Sequence, residues 1–219
     1  MLTPVSNWNW RLVYLLLPVE KLPDKEGTFM YVDVGGGSTE ITLIHQGRMV
    51  GSMSYNIGTI RLLNRAVKDG IVDGLKADME GMYAQYGPIN IIGSGGNINK
   101  LFRLAEEKNK KELKLPISSL RKLHNELQPL SLEERMDRFG LKPDRADVIV
   151  PAAEIFLIIA DCIHSDYVYV PTIGLADGII GELYAKVARN ERERLVRSRL
   201  QLSAEAQGAV NAETVEMDD

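Results

Sequence analysis

The sequence predicts an α/β domain whose mixed sheet begins as a three-strand antiparallel meander. Three apolar runs that end by residue 55 are separated by short glycine or polar turns, which is typical of consecutive antiparallel strands. Farther along, a short apolar run at residues 89–92 leads directly into a glycine turn and a helical pattern. This order of strand, turn and helix favours an α/β sheet, and we expect helices on both of its faces.

Periodicity and turn residues place the remaining elements along the chain. After a first strand that ends at Asp33, strands are expected over residues 41–45, 49–55, 89–92 and 167–170. Helices are expected from residue 59 to a stop at Gly70, and over residues 76–86, 97–107, 148–163 and 174–187. Two further helices are expected to begin at Ser118 and Ser131, the second with Glu134 completing a capping box.

Composition narrows the classes of function. The chain has 219 residues, and its hydrophobic content of 45% is enough for a sizeable core. A formal net charge of -4 gives no general reason to expect nucleic acid or an acidic membrane as a partner. The apolar run at residues 148–163 contains two acids, so a buried helix is favoured over a membrane span. The single Cys162 cannot form an internal disulfide, which favours a reducing, cytoplasmic compartment.

A glycine loop after the first strand is the strongest candidate for a functional site. It reads Asp33-Val34-Gly35-Gly36-Gly37-Ser38-Thr39-Glu40. Consecutive glycines let a bulky anion approach the main-chain N–H groups, and Ser38 and Thr39 add hydroxyl donors. Asp33 is placed to hold a divalent cation, and Glu40 brings a second carboxylate close to a bound phosphate. The alternative is a tight hairpin in which the glycines only satisfy turn geometry and Asp33 bonds its own backbone.

A second glycine turn, Gly93-Ser94-Gly95-Gly96, lies between a strand end and a helix N-terminus. Free amides and the helix dipole face outward at such a place, so the turn suits an anion or a nucleotide. The alternative is an ordinary tight connection between a strand and a helix. Because such connections are frequent, the turn gains weight from its presence beside the Asp33 loop.

These motifs together resemble the exopolyphosphatase and guanosine pentaphosphate phosphatase (Ppx/GppA) family. The Asp33 loop is followed in the family's order and spacing by Ile92-Gly93-Ser94-Gly95-Gly96 and by Arg145-Ala146-Asp147-Val148-Ile149-Val150-Pro151-Ala152. Gly174-Leu175-Ala176-Asp177-Gly178 resembles the family's closing motif. The resemblance implies a ribonuclease H-like lobe of the actin-like ATPase type.

The resemblance also implies how the chain is divided. Residues 1–28 are expected to be an atypical N-terminal segment, residues 29–190 the second ribonuclease H-like lobe, and residues 191–219 a charged helix extension with an acidic flexible tail. The family has a first lobe with another phosphate loop, and nothing before residue 29 resembles it. We therefore expect a truncated or divided enzyme that retains one half of the active cleft.

The family, as the resemblance implies, removes terminal phosphates from inorganic polyphosphate or guanosine pentaphosphate, with Mg²⁺ in a cleft between two lobes. Asp33 carries over as the catalytic carboxylate on the metal side, and Glu40 as a second acid that orients metal or water. The phosphate cradle carries over to Gly35, Gly36, Gly37 and Ser38, and the opposite wall to Gly93, Ser94, Gly95 and Gly96. Such chemistry depends on charge neutralisation and an aligned nucleophile.

Some positions depart from the family pattern. The family's proposed base is a glutamate shortly before the Asp33 loop, and residues 8–14 contain no acid here. Ala176 stands where many relatives have a basic residue, and the pair Arg145 and Asp147 could simply cap and brace the following helix. We expect a phosphohydrolase lobe that is inactive without a first lobe. Its expected partner is either a separate polypeptide that supplies the first lobe or a second copy of this chain in a homodimer. The alternative is a non-catalytic phosphate-binding, nucleotide-binding or regulatory module.

Overall fold

The structure is a computed structural model that describes residues 27–171. Predictions for the first 26 residues, for the helix over 174–187, for the closing glycine motif and for the tail lie outside the described residues. The described region contains the Asp33 loop, the second glycine turn and the Arg145 segment, so three of the four family motifs have a structural description.

One six-stranded sheet organises the described region. Its strands are β1 (Thr28–Val34), β2 (Thr39–His45), β3 (Arg48–Tyr55), β4 (Ile89–Ser94), β5 (Lys114–Pro116) and β6 (Tyr167–Tyr169). Their order across the sheet is β3-β2-β1-β4-β6-β5. The first three strands are antiparallel, β4 is parallel to both β1 and β6, and β5 is antiparallel to β6. The predicted meander and mixed sheet are confirmed, and β1 lies inside the sheet.

The helices connect and cover these strands. They are α1 (Thr59–Leu63), α2 (Ile71–Tyr86), α3 (Gly96–Leu104), α4 (Ile117–Leu127), α5 (Leu132–Phe139), α6 (Pro143–Ala146) and α7 (Ile149–Cys162). The predicted buried helix is confirmed as α7, and the predicted capping box of Ser131 and Glu134 starts α5. Among residues 27–171, no helix combines the length and apolar character that crossing a bilayer requires.

Two hydrophobic clusters lie on opposite faces of the sheet. Alternate residues of β1 enter each cluster, because successive strand side chains point to opposite faces. Met30 and Val32 join the larger cluster, which includes buried residues of α2, α3, α4 and α7. Phe29 and Tyr31 join the smaller cluster, whose described members all come from strands or their immediate neighbours. Asp33 continues the alternation of Phe29 and Tyr31, so its carboxylate lies on the same face of the sheet as Tyr31.

The structure corrects several predicted boundaries. Helix α1 ends at Leu63 instead of near Gly70, because Arg65 adopts a φ of 52° that a helix cannot continue through. Gly70 is the N-cap of α2, which begins earlier than predicted. Ser118 is not a cap, because α4 begins at Ile117. Strand β5 was not predicted, since three residues carry too little pattern.

Candidate functional site

A row of polar residues crosses the sheet at the end of β1. Asp33 is paired in register with Glu40 of β2 on one side and with Ser94 of β4 on the other. Glu40 is in turn paired with Ser54 of β3. The sheet topology thus brings together residues from both glycine motifs, although sixty residues separate Asp33 from Ser94 along the chain.

The Asp33 carboxyl group lies in an unfavourable place for a negative charge. Partial burial raises its pKa, and the nearby charge of Glu40 raises it further. Tyr31 lies on the same face, and its burial raises its pKa to about 12. A hydrogen bond with Ser94 lowers the pKa of Tyr31, and the nearby charge of Asp33 raises it by a smaller amount. A cation between Asp33 and Glu40 would relieve this repulsion.

The two carboxylates fit a divalent cation of the magnesium type. No group of three or more His, Cys, Asp or Glu side chains suited to a metal occurs within residues 27–171. Mg²⁺ is usually held by one or two carboxylates together with waters and substrate phosphates, so the pair of Asp33 and Glu40 satisfies its minimal demand. The metal role of Asp33 stays a prediction.

The glycine loop between β1 and β2 presents three backbone donors. The N–H groups of Gly36, Gly37 and Ser38 donate to no other group in the described part of the chain. The Gly35 N–H, by contrast, donates to the Ser38 carbonyl over 2.9 Å. The predicted cradle is therefore corrected at Gly35, whose amide closes the loop and is not free to bind a phosphate.

The hydroxyl and acidic residues of the loop bond to the protein. Ser38 Oγ donates to Glu40 Oε1 over 2.6 Å, and Ser54 Oγ donates to the same oxygen over 3.2 Å. Thr39 is buried, and its hydroxyl donates to the Ile57 carbonyl over 2.7 Å. The predicted role of Thr39 as a donor to phosphate is wrong. Glu40 is exposed, and two hydroxyl donors hold its carboxylate in place.

The second glycine turn places three glycines in different surroundings. A Cβ on Gly95 would lie 2.9 Å from Asp33 Oδ1, so the carboxyl group of Asp33 lies close to this residue. A Cβ on Gly96, the first residue of α3, would lie 3.0 to 3.2 Å from the guanidinium of Arg145. A Cβ on Gly93 would meet core side chains, so packing alone requires glycine at this position, and the place of Gly93 in the wall of the site stays a prediction.

Arg145, the first residue of one of the family motifs, lies beside the second glycine turn. Its Nη1 donates to Asn97 Oδ1 over 3.0 Å, and its half-exposed guanidinium covers the start of α3. Arg145 Nε also lies 3.7 Å from Asp144 Oδ2. The bond to Asn97 joins Arg145 to α3, and a brace of α7 by Arg145 and Asp147 stays the alternative. The signal was the motif itself, in which an arginine precedes a buried helix, but only the fold brings it beside Gly96.

Comparisons with known proteins show which family the chain resembles. The model of the Ppx/GppA phosphatase family matches residues 13–187. The chain is 25% identical over 198 residues to the guanosine-5'-triphosphate,3'-diphosphate pyrophosphatase of Photobacterium profundum, a match that covers 83% of this chain and 39% of the relative. The corresponding protein of Vibrio campbellii is 24% identical over 185 residues, with 78% and 37% covered. The chain spans about two fifths of the length of these curated relatives.

Solved structures of the family share the fold of this chain. The type II variant of the Aquifex aeolicus Ppx/GppA phosphatase is 26% identical with a TM-score of 0.61, over 78% of this chain and 61% of that chain. An exopolyphosphatase from Cytophaga hutchinsonii is 20% identical with a TM-score of 0.57, over 78% and 62% of the two chains, and supports the fold alone. The family match covers well over half of the sequence, and the chain belongs to the Ppx/GppA phosphatase family.

Proposed function

We propose that this chain is a phosphohydrolase lobe that binds Mg²⁺ and the terminal phosphates of inorganic polyphosphate or guanosine pentaphosphate. The observation that carries the proposal is the meeting of a carboxylate pair and a set of free backbone amides at one edge of the sheet. Asp33 and Glu40 supply negative charge for a metal, and the loop of residues 36–38 supplies donors for an anion. A phosphate bound with its metal requires both.

Each part of the site has a proposed task. Mg²⁺, when bound, would neutralise charge on the phosphate oxygens. Asp33 would hold the metal, and the hydrogen-bonded Glu40 would orient metal or water. The amides of Gly36, Gly37 and Ser38 would cradle a terminal phosphate, with Gly95, Gly96 and the Ser94 hydroxyl forming the other wall.

Hydrolysis would need groups that this lobe does not supply from its described residues. The family relationship suggests a first lobe across the cleft, and we propose that a separate polypeptide or a second copy of this chain completes the site. The lone, partly buried Cys162 supports a cytoplasmic protein, and the net charge of -4 supports the absence of a nucleic-acid partner. A phosphate substrate would therefore be bound locally, by the loop.

A non-catalytic binding module is the second candidate. The absence of an acid from residues 8–14, where the resemblance places the base, favours it. Such a module would bind polyphosphate or guanosine pentaphosphate tightly and release no phosphate. Both candidate functions use the same loop, so both predict phosphate binding. They differ in whether the bound phosphate is hydrolysed.

The test is phosphate release and ligand binding by the purified chain with Mg²⁺, beside Asp33→Ala and a control, Asp69→Ala, at an exposed turn. Release that Asp33→Ala abolishes would support a hydrolase. Mg²⁺-dependent binding without release, lost in Asp33→Ala, would support the binding module or a lobe that waits for its partner. Binding that survives Asp33→Ala at an unchanged melting temperature would show that Asp33 is only a turn residue.

A further inference from the structure

Helix α1 begins directly beneath the glycine loop and bonds to every one of its glycine carbonyls. The Thr59 N–H donates to the Gly35 carbonyl over 3.0 Å, and the Ile60 N–H donates to the Gly36 carbonyl over 2.9 Å. The third carbonyl, that of Gly37, accepts a bond of 2.5 Å from Nε of the Arg61 side chain. Three consecutive carbonyl groups are therefore turned toward the same short helix.

This arrangement fixes the direction of the free amides. In a trans peptide the C=O and the following N–H point in opposite directions. The peptides that begin at Gly35, Gly36 and Gly37 end with the N–H groups of Gly36, Gly37 and Ser38. Because their carbonyl groups point toward α1, these three N–H groups point away from it, where an anion can reach them.

The approach of α1 to the loop depends on the residue before the helix. Gly58 has a φ of -151°, an extended conformation that any residue adopts, so no special backbone angle requires glycine there. A Cβ on Gly58 would instead lie 2.5 Å from the Gly36 oxygen and 2.7 Å from the Gly37 carbonyl carbon. The close approach of two backbone segments is thus what requires glycine at this position.

We propose that Gly58 and Arg61 are positioning residues that hold the loop in its anion-binding form, an inference that rests on the proposed function of the loop. Gly58 admits the helix, and Arg61 holds the peptide between Gly37 and Ser38. That peptide is the weakest point, because a side chain instead of the backbone holds its carbonyl. A Cβ on Gly37 would have no neighbour within 4 Å among the described residues, so packing by this part of the chain does not prevent the peptide from turning over.

A turned peptide would place the Gly37 carbonyl oxygen where the Ser38 N–H now faces. A partial negative charge would then meet the anion in place of a donor, and binding would weaken for an electrostatic reason. Arg61 acts here through its Nε position. A lysine has a methylene group at that position, and Arg61→Lys therefore keeps the positive charge but removes the bond to the Gly37 carbonyl.

The test measures tripolyphosphate binding with Mg²⁺ by calorimetry for the full chain, Arg61→Ala, Arg61→Lys and a control, Arg48→Ala. Arg48 is exposed at the far end of the hairpin and has no ion-pair partner in the described region. We expect roughly tenfold weaker binding in both Arg61 variants and no change in the control. Binding by Arg61→Lys equal to that of the unchanged chain would overturn the proposal in favour of a simple charge effect.

A second readout needs no ligand. Amide NMR resonances of Gly36, Gly37 and Ser38 in the free protein should move in both Arg61 variants, with the largest change at Ser38. Unmoved resonances would overturn the positioning role. If the unchanged chain binds no tripolyphosphate while these resonances still move, the proposed function fails and the hold of Arg61 on the loop is supported.

Gly58→Ala provides an independent variant, with Gly74→Ala as its control in an open part of α2. We expect Gly58→Ala to weaken binding and to move the same three amide resonances, because the added Cβ forces α1 away from the loop. Gly74→Ala should leave both unchanged. A folded Gly58→Ala protein with unchanged binding and resonances would overturn the assignment for Gly58.

Discussion

Asp33 and Glu40 lie directly opposite each other in the antiparallel register of β1 and β2. A carboxylate pair on neighbouring strands is destabilising unless a cation or a proton intervenes. The pKa of Asp33 is raised mainly by burial and, to a smaller extent, by the charge of Glu40, as this pairing requires. The pair therefore links protonation to stability at a single place in the sheet, where the proposed function also places the metal.

Glu40→Gln is expected to lower the pKa of Asp33 toward its ordinary value, because the variant removes the neighbouring charge while keeping an acceptor for Ser38. The pKa should stay somewhat raised, since burial is the larger cause. Carbon-13 NMR titration of the Asp33 carboxyl group measures this change. Glu80→Gln, at an exposed position of α2, is the control, and an equal effect there would argue against the pairing.

The raised pKa of Asp33 gives a signed prediction for stability. Folded Asp33 keeps its proton to a higher pH than the unfolded chain, so its contribution to the free energy of unfolding falls as the pH rises from its ordinary value of 3.8 through the raised value. Asp33→Asn removes this loss. Denaturant unfolding across that pH window should show the variant gaining on the unchanged protein as the pH rises, and a constant difference would contradict the assignment.

Arg145→Ala is expected to weaken tripolyphosphate binding by roughly tenfold, because a charged donor over the start of α3 is lost. The dependence of binding on salt should also become shallower. Arg145→Lys should recover part of the affinity through its charge. The control is Arg103→Ala, at an exposed position near the end of α3, and a similar loss there would indicate a general charge effect.

Gly93→Ala is expected to destabilise the fold by about 1 to 3 kcal/mol, the usual cost of overpacking a core. Its Cβ would lie 2.8 Å from Ile98, 2.9 Å from Val168 and 3.1 Å from Phe156, where β4, α3, β6 and α7 meet. Denaturant unfolding measures the change. An unchanged free energy of unfolding would show that this contact relaxes easily and that Gly93 has no packing role.

Gly74→Ala and Gly81→Ala are expected to stabilise the protein by up to about 1 kcal/mol each, because glycine in a helix is less favourable than alanine. Both residues lie in α2, are exposed and would place a Cβ in open space. Thermal unfolding of the single and double variants checks this prediction. Additive increases in melting temperature are expected, since the two positions share no contact.

The fold was predictable from the sequence to the extent that local pattern dictates it. Alternating apolar runs and glycine turns gave the meander, and a continuous apolar stretch gave α7. Boundaries set by single backbone angles were not predictable, as with the end of α1 near Arg65. Within residues 27–171, the strand that pairs with β5 is β6, which lies fifty residues away, and the existence of β5 depends on that tertiary contact.

The location of the candidate site was predictable from the sequence, but the part that each of its residues plays was not. The resemblance pointed to the Asp33 loop and the second turn, and the sheet register places them side by side. Which amides are free depends on hydrogen bonds with α1, and which glycines serve packing depends on neighbours such as Phe156. These properties arise from contacts between distant segments, so residue type and spacing do not encode them locally.

The two glycines at the start of α3 have a consequence for the kind of ligand that the lobe tolerates. The carboxyl group of Asp33 lies against Gly95, and the guanidinium of Arg145 lies against Gly96. An acidic and a positively charged side chain therefore lie beside successive residues of one turn. A metal ion with its phosphate presents the matching charges, a cation for Asp33 and an anion for Arg145. Under the proposed function, a bare polyanion would have no counterpart for Asp33, and the turn would disfavour phosphates that arrive without their cation.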